Sequence, residues 1–143
     1  MTVEHILAAK GRSVVTVLPT VTLGETARIM SERGIGAVIV TGPLRDVLGI
    51  LSERDIVKAI AEHRGAALEH AVSSHMTTRV KVGHAGMSVT QAMEWMTQGR
   101  FRHLPIVEGG ALDGLVSIGD IVKHRLAEIE DESRALRDYI TTS

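Results

Sequence analysis

The chain has 143 residues, of which 44% are hydrophobic, so it can bury a core as one compact domain or as two small fused units. Its formal net charge of −1 at pH 7 and its three aromatic side chains argue against a nucleic-acid interface or an anionic membrane surface. The absence of cysteine excludes disulfides, thiol nucleophiles and thiolate metal sites, and it favours a reducing compartment, with the cytoplasm as the default expectation.

The first predicted elements are a short helix over residues 2–9 and a strand over residues 13–17. The helix places Val3, Ile6 and Leu7 on one face, whereas the strand segment is rich in β-branched residues. We expect the helix to cover an apolar surface, which is either a cleft or part of the core.

A second helix is predicted to begin after Thr22, because Thr22-Leu23-Gly24-Glu25 has the spacing of a capping box. It should end at Arg33, since glycine follows directly. Two apolar strands are predicted next, over residues 37–40 and 47–51, and the loop between them is typical of a hairpin.

The second of these strands leads into a turn with the sequence Gly49-Ile50-Leu51-Ser52-Glu53-Arg54-Asp55. Ser52 and Asp55 have the spacing of a helix start, in which the hydroxyl accepts from a free backbone N–H and the carboxylate lies at the positive helix end. The helix should run to His63. The N-terminus of a helix beside a hydroxyl group can also bind an anion, and a nearby Asp can accept hydrogen bonds from both hydroxyls of a ribose. The turn is therefore a candidate nucleotide site as well as a simple helix cap.

The same order of elements returns after a connector over residues 64–76. It comprises a predicted strand at 80–82, a helix after Ser88, an apolar strand at 101–106, and a second Ser turn at 114–120. The chain is therefore an internal duplication of a strand-helix-strand-strand-helix unit. Each unit is too small to hide its own sheet, so we expect the two to pack together in an α/β (α+β) fold.

These paired units resemble a tandem pair of CBS domains, the arrangement known as a Bateman module. The resemblance rests on the two Gly-hydrophobic-hydrophobic-Ser-x-x-Asp turns, on residues 35–40 and 101–106, and on Met76-Thr77 before the second unit. It covers nearly the whole chain and implies two β-α-β-β-α repeats related by a pseudo-two-fold axis. The segments are an N-terminal helix at 1–12, repeat 1 at 13–63, the connector at 64–76, repeat 2 at 77–125 and a C-terminal helix extension at 126–143.

The resemblance implies a stand-alone regulatory module and not an enzyme, and the sequence contains no phosphate-binding Walker loop or activated nucleophile. In the family, two clefts commonly bind AMP, ADP, ATP, S-adenosylmethionine or a dinucleotide such as NAD(H). No obligatory cofactor is expected. Carried over, Asp55 and Asp120 would hold ribose hydroxyls, while Ser52 and Ser117 would face phosphate. The residues implied in the adenine slots are Thr16, Val17, Ala37, Lys81, Val82, His103, Leu104 and Pro105.

The two implied sites differ in their basic residues. Arg54 in the first Ser turn is replaced by Gly119 in the second, whereas Arg102 and His103 stand where the first repeat has two small residues. We therefore hypothesise that one site takes its phosphate charge from Arg54 and the other from Arg102 and His103. The alternative is that Arg54 is only solvated.

The other histidines show no spacing typical of metal ligands. His70 and His75 lie five residues apart in the connector, and no His-x-x-x-His pair or carboxylate-histidine pattern accompanies them on a helix. The remaining histidines are His5, His63, His84 and His124. We interpret all six as surface or boundary residues, so the sequence predicts no metal site.

The chain after Ile118 predicts a helix longer than the second repeat needs. Its apolar face has the 4-3-4-3-4 spacing of a helix that packs along another helix. This face, the seam, comprises Val122, Leu126, Ile129, Ser133, Leu136 and Ile140. We expect the seam to form a homodimer, although it could instead fold onto the N-terminal helix. An alternative function is a scaffold with vestigial clefts that works through this helix, and either function requires an unknown effector protein.

Overall fold

The computed structural model describes residues 1–142, and this part of the chain has the mixed α and β architecture predicted from the sequence. The elements are α1 (Val3–Lys10), β1 (Thr16–Val17), α2 (Leu23–Arg33), β2 (Ala37–Thr41), β3 (Val47–Ser52), α3 (Glu53–His63), α4 (Val89–Gly99), β4 (His103–Glu108), β5 (Ala111–Ser117) and α5 (Ile118–Thr142). Two 3-10 helices, Arg64–Glu69 and Val72–Ser74, lie in the connector. None of the helices in the described residues combines the length and apolar content needed to cross a bilayer.

Helix starts occur at the side chains that the capping patterns indicate. The Ser52 hydroxyl accepts from the Asp55 N–H (3.3 Å), and Asp55 Oδ2 accepts in return from the Ser52 N–H (2.9 Å). Thr22 and Ser88 likewise accept from the backbone N–H three residues further on. At its other end, α2 stops at Gly34 in the left-handed conformation, which satisfies the last carbonyls of the helix.

The strands form two small sheets. In the first, β1 pairs parallel with β2 and β2 pairs antiparallel with β3, whereas the second contains only the antiparallel pair of β4 and β5. At two residues, β1 is shorter than predicted. Both hairpins carry a register shift at the same place in the repeat, between Val40 and Thr41 and between Ile106 and Val107. The shared irregularity agrees with the duplication inferred from the sequence.

The strand predicted at residues 80–82 is not formed, and only an isolated parallel bridge joins Gly83 to Ile106. In the first repeat, the Ile39 N–H donates to a backbone oxygen of the preceding strand segment, 3.3 Å away. The equivalent residue in the second repeat is Pro105, which has no N–H to donate. Loss of this one donor limits the parallel pairing to a single bridge.

Each repeat has its own cluster of buried side chains. The cluster of the first repeat packs β1, β2, β3, α2 and α3 with Ala67 and Val72 from the connector. The cluster of the second repeat packs β4, β5, α4 and α5 with Val3, Ile6 and Leu7 from α1. The N-terminal helix therefore completes a core, which is one of the two roles expected for it.

The segment that precedes each repeat, α1 before the first and the connector before the second, packs on the other repeat. The Val3 N–H donates to the Met87 oxygen (2.9 Å), and the Val72 N–H donates to the Val21 oxygen (2.7 Å). Met87 and Val21 hold equivalent places before the capped helices, so Val3 and Val72 are also equivalent. Both valines are fully buried, which contributes roughly 1.5–3 kcal/mol each. This reciprocal exchange ties the two repeats together.

Candidate functional site

A cavity of about 780 Å³ lies between the first Ser turn and the second repeat. Its walls come from both repeats because Ile50 and Thr77 exchange two backbone hydrogen bonds, Ile50 N–H to Thr77 oxygen (3.0 Å) and Thr77 N–H to Ile50 oxygen (2.9 Å). This bridge holds the turn of the first repeat against the entry segment of the second. The volume lies in the range usual for small-molecule sites.

The cavity is basic although the whole chain carries a formal net charge of −1. Five Arg and Lys side chains line it against two carboxylates, those of Glu53 and Asp55. The basic residues are Arg54, Arg79, Lys81, Arg100 and Arg102. Cations concentrated in one concave surface attract anions even when the rest of the protein is close to neutral.

The Ser turn supplies the polar end of this cavity. Asp55 Oδ2 accepts from the Ser52 N–H and also from the Ser52 hydroxyl, 3.1 Å away. Within the described part of the chain, Asp55 Oδ1 accepts no hydrogen bond. One carboxylate oxygen therefore fixes the helix start, and the other is available to a ligand hydroxyl beside the positive end of α3.

Six of the predicted site residues line this single cavity: Ser52, Arg54, Asp55, Lys81, Arg102 and His103. Because Arg54, Arg102 and His103 line the same cavity, its geometry does not favour separate sites for them, and the division of phosphate charge between two sites stays a prediction. All three side chains line one cavity because the first Ser turn faces residues of the second repeat.

The remaining predicted residues do not line this cavity. Leu104 belongs to the core of the second repeat with no exposed surface, and Pro105 is also buried. Val17 and Ala37 are buried in the first repeat, where Ala37 pairs with Ser52 across the sheet. The others outside the cavity are Thr16, Val82, Ser117 and Asp120.

Asp120 in the second Ser turn is held by a cation from its own chain. Lys10 Nζ lies 2.6 Å from Asp120 Oδ2 and donates a further hydrogen bond to the Leu115 oxygen (2.9 Å). Burial alone would raise the pKa of Asp120, but hydrogen bonds from Lys10 and Ser117 outweigh burial and hold the pKa below its ordinary value. The carboxylate expected to bind a second ribose is thus already paired with α1.

His103 is kept neutral by its surroundings. Burial lowers its pKa, and the positive charges of Lys10 and Arg102 lower it further against the opposing effect of Asp120. At neutral pH the ring therefore offers one hydrogen-bond donor and one acceptor to the cavity.

Sequence patterns do not predict two of the basic residues in the cavity, Arg79 and Arg100. Arg100 ends α4 in the left-handed conformation, with φ of 54°, at the place where α2 ends in Gly34. In this left-handed conformation a residue with a Cβ lowers the stability of the fold by roughly 1–2 kcal/mol relative to glycine. Alignment of the two repeats gives the missing signal, since an arginine that replaces the expected glycine suggests a role for its side chain.

The CBS domain family profile matches residues 3–62 and 72–127, and the chain therefore belongs to this family, as a pair of CBS domains. The two matched ranges begin at Val3 and Val72, the residues that hold equivalent places in the two repeats. Family membership and internal geometry thus define the same repeat unit.

Among solved structures, the chain is similar to the CBS-domain containing protein ATU1752 from Agrobacterium tumefaciens, with 48% identity, a TM-score of 0.83 and coverage of 87% of this chain and 99% of that one. The CBS domain protein PAE2072 from Pyrobaculum aerophilum, complexed with AMP, is 26% identical, with a TM-score of 0.74 and coverage of 84% and 89%. An uncharacterized 17.7 kDa protein from Acidianus ambivalens is 40% identical over 111 residues, and the chain spans 66% of its length.

Proposed function

We propose that this CBS pair is a regulatory module that binds a phosphorylated adenosine ligand in the basic cavity beside Asp55. The observation that carries the proposal is the meeting of a capped helix start with five cationic side chains in one cavity of suitable volume. The AMP complex of PAE2072, a relative with the same fold, supports an adenosine ligand.

The side chains of the cavity divide into three proposed roles. Asp55 Oδ1 accepts from ribose hydroxyls, and the Ser52 hydroxyl with the first N–H groups of α3 faces the phosphates. Arg54 and Arg102 neutralise phosphate charge through charge-assisted hydrogen bonds. The apolar wall for adenine comes from Ile50, Val80 and Phe101, together with the neutral ring of His103.

The charge balance favours ADP or ATP over the other adenosine compounds. With more cations than carboxylates, the cavity complements two or three phosphates better than one, and it opposes the positive sulfonium of S-adenosylmethionine. NAD(H) carries two phosphates, but it must also place a second nucleoside. We therefore propose one nucleoside di- or triphosphate per chain.

Matched substitutions in the two Ser turns test this proposal. Asp55→Ala and Asp120→Ala remove the same helix-start contact, but only Asp55 lines the cavity. Thermal unfolding is measured with AMP, ADP, ATP, S-adenosylmethionine and NADH. A ligand at a hundredfold excess over its dissociation constant adds roughly 2.7 kcal/mol to the unfolding free energy. We expect ADP or ATP to stabilise the wild type and Asp120→Ala, and not Asp55→Ala.

Loss of stabilisation in Asp120→Ala with retention in Asp55→Ala would place the ligand in the other turn. No stabilisation of the folded wild type by any of the five compounds would favour the alternative of a scaffold protein. Circular dichroism of each variant without ligand establishes that it is folded.

A homodimer would give ligand binding a route to an effector protein. Val57 on α3 and Val122 on α5 hold equivalent places in the two repeats and are 66% and 49% exposed. Leu126 and Ile129 extend the same apolar row along α5, and α1 leaves it uncovered because its own apolar face is used in the core. Matching apolar residues on two pseudo-symmetric helices suit a second copy of the chain. The same surface is what the scaffold alternative would use.

A further inference from the structure

Three histidine side chains converge where α3 ends, outside the nucleotide cavity. His63 is the last residue of α3, whereas His70 and His75 each follow one of the 3-10 helices of the connector. One ring nitrogen from each lies within 4.8 Å of the other two. His70 Nδ1 and His75 Nε2 are 2.8 Å apart, and their rings are parallel.

Sequence spacing does not reveal this cluster because a turn builds it, not a helix face. Arg64 follows His63 with a positive φ of 54°, and the chain reverses there so that the connector returns to the helix end. The sequence predicts no metal site because neither the five-residue spacing of His70 and His75 nor any helical pattern is typical of metal ligands. Histidines seven and five residues apart meet here by chain reversal.

The backbone that carries two of these rings is anchored. The His70 oxygen accepts from the Leu23 N–H (2.9 Å), and Val72 donates to the Val21 oxygen. Ala67 and Val72, on either side of His70, are fully buried in the core of the first repeat. Rings on an anchored backbone are held close together before any ligand arrives, which favours binding.

Three imidazole side chains at this separation suit a first-row divalent metal ion. Zinc binds imidazole nitrogen at about 2.0–2.1 Å in tetrahedral geometry, which places its ligand atoms about 3.3 Å from one another. The short His70–His75 contact would widen slightly and the longer separations would close through side-chain rotation. Imidazole ligands select zinc, copper, nickel and cobalt over magnesium and calcium, which prefer oxygen.

The surroundings provide access and charge compensation. The side chain of His63 is exposed, so an ion enters from solvent. Glu62 Oε2 lies 3.8 Å from His63 Nε2 and brings a carboxylate to the edge of the cluster. Either this carboxylate or a water molecule would complete the coordination.

We propose that His63, His70 and His75 form a binding site for a divalent transition metal ion of the zinc class. Bound metal replaces the direct His70–His75 hydrogen bond with three coordinate bonds. Because His75 directly precedes Met76-Thr77, the ion also braces the connector where it reaches the cavity wall. The site itself does not depend on the nucleotide proposal, since it shares no side chain with the cavity.

Cobalt(II) titration of untagged, metal-free protein tests the site directly, because tetrahedral Co²⁺ absorbs visible light far more strongly than hydrated Co²⁺. We expect one strongly absorbing ion per chain, displaced by one equivalent of Zn²⁺. His63→Ala, His70→Ala and His75→Ala should each weaken the affinity at least about 100-fold. His84→Ala, an exposed histidine of the second repeat, is the control and should bind as the wild type does.

His63→Ala keeps the test valid if a connector variant fails to fold, since His63 is exposed at a helix end. Equal binding by His63→Ala and His84→Ala would overturn the proposal. So would a wild-type spectrum that never departs from that of hydrated Co²⁺.

Discussion

Arg100 places a positive charge in the cavity at a backbone position where arginine is less stable than glycine. Its left-handed backbone conformation suits glycine, which the first repeat has at the equivalent Gly34, yet an arginine stands there and lines the cavity. The backbone energy lost at this position is of the same order as one charge-assisted hydrogen bond to phosphate.

Arg100→Gly should therefore raise the unfolding free energy by about 1 kcal/mol and weaken nucleoside triphosphate affinity about tenfold. Denaturant unfolding and calorimetric titration with ATP measure the two effects. The matched control is Arg45→Gly, since Arg45 also has a positive φ, of 61°, and lies outside the cavity. Arg45→Gly should gain stability without losing affinity, and equal affinity in both variants would remove Arg100 from the site.

Local patterns made the residues of the Ser turns predictable. Ser52 and Asp55 interact three residues apart, so their geometry follows from the helix start alone. Arg79 and Arg100 reach the cavity only because the repeats meet, and sequence spacing within one repeat carries no such information. Likewise, the partner of Asp120 is Lys10, 110 residues away, which no local pattern indicates.

At the scale of elements, helices were predicted more closely than strands. Capping residues and apolar period are internal to a helix, so α2, α3 and α4 begin where their caps predict. A strand forms only beside a partner with free backbone donors and acceptors. For residues 80–82 the partner strand has Pro105, which has no N–H to donate. The sequence contains this proline, but its effect depends on which residues of the two segments lie opposite each other, and the structure is needed to show that.

The exposed seam of α5 carries a prediction of its own. Leu126 is 57% exposed, so Leu126→Asp should leave the fold unchanged while placing a charge in the proposed dimer interface. We expect the dimer dissociation constant, measured by sedimentation, to rise at least about tenfold.

Leu44→Asp is the control for the seam, because Leu44 lies in the loop between β2 and β3 and is 83% exposed. It should leave association unchanged. A wild type that remains monomeric at high protein concentration would argue against the homodimer.

At the scale of the whole molecule, α1 packs in the core of the second repeat and the connector packs in the core of the first. We therefore predict that the two repeats unfold together. Val72 comes from the start of the second repeat but is buried in the core of the first. Val72→Ala should lower the unfolding free energy by roughly 2 kcal/mol. Trp95 lies on α4 of the second repeat, so its fluorescence reports on the repeat that does not contain the substitution.

We expect the fluorescence and far-ultraviolet circular dichroism transitions of Val72→Ala to shift by equal amounts and to coincide. Leu44→Ala, at an exposed position of the loop between β2 and β3 and outside the proposed dimer surface, should shift neither transition. A Trp95 transition that stays at its wild-type midpoint would mean that the repeats unfold independently.

Pro105 leaves the two halves of this duplicated chain with different backbone pairing before the capped helix. In the first repeat, the segment before the helix is fixed to the sheet along β1, whereas its counterpart in the second repeat is fixed only at Gly83. The segment between the Ile50–Thr77 bridge and Gly83 contains Val80 and Lys81, which line the basic cavity. We therefore expect the cavity wall from the second repeat, and not the more fully paired first repeat, to adjust when molecules of different size bind.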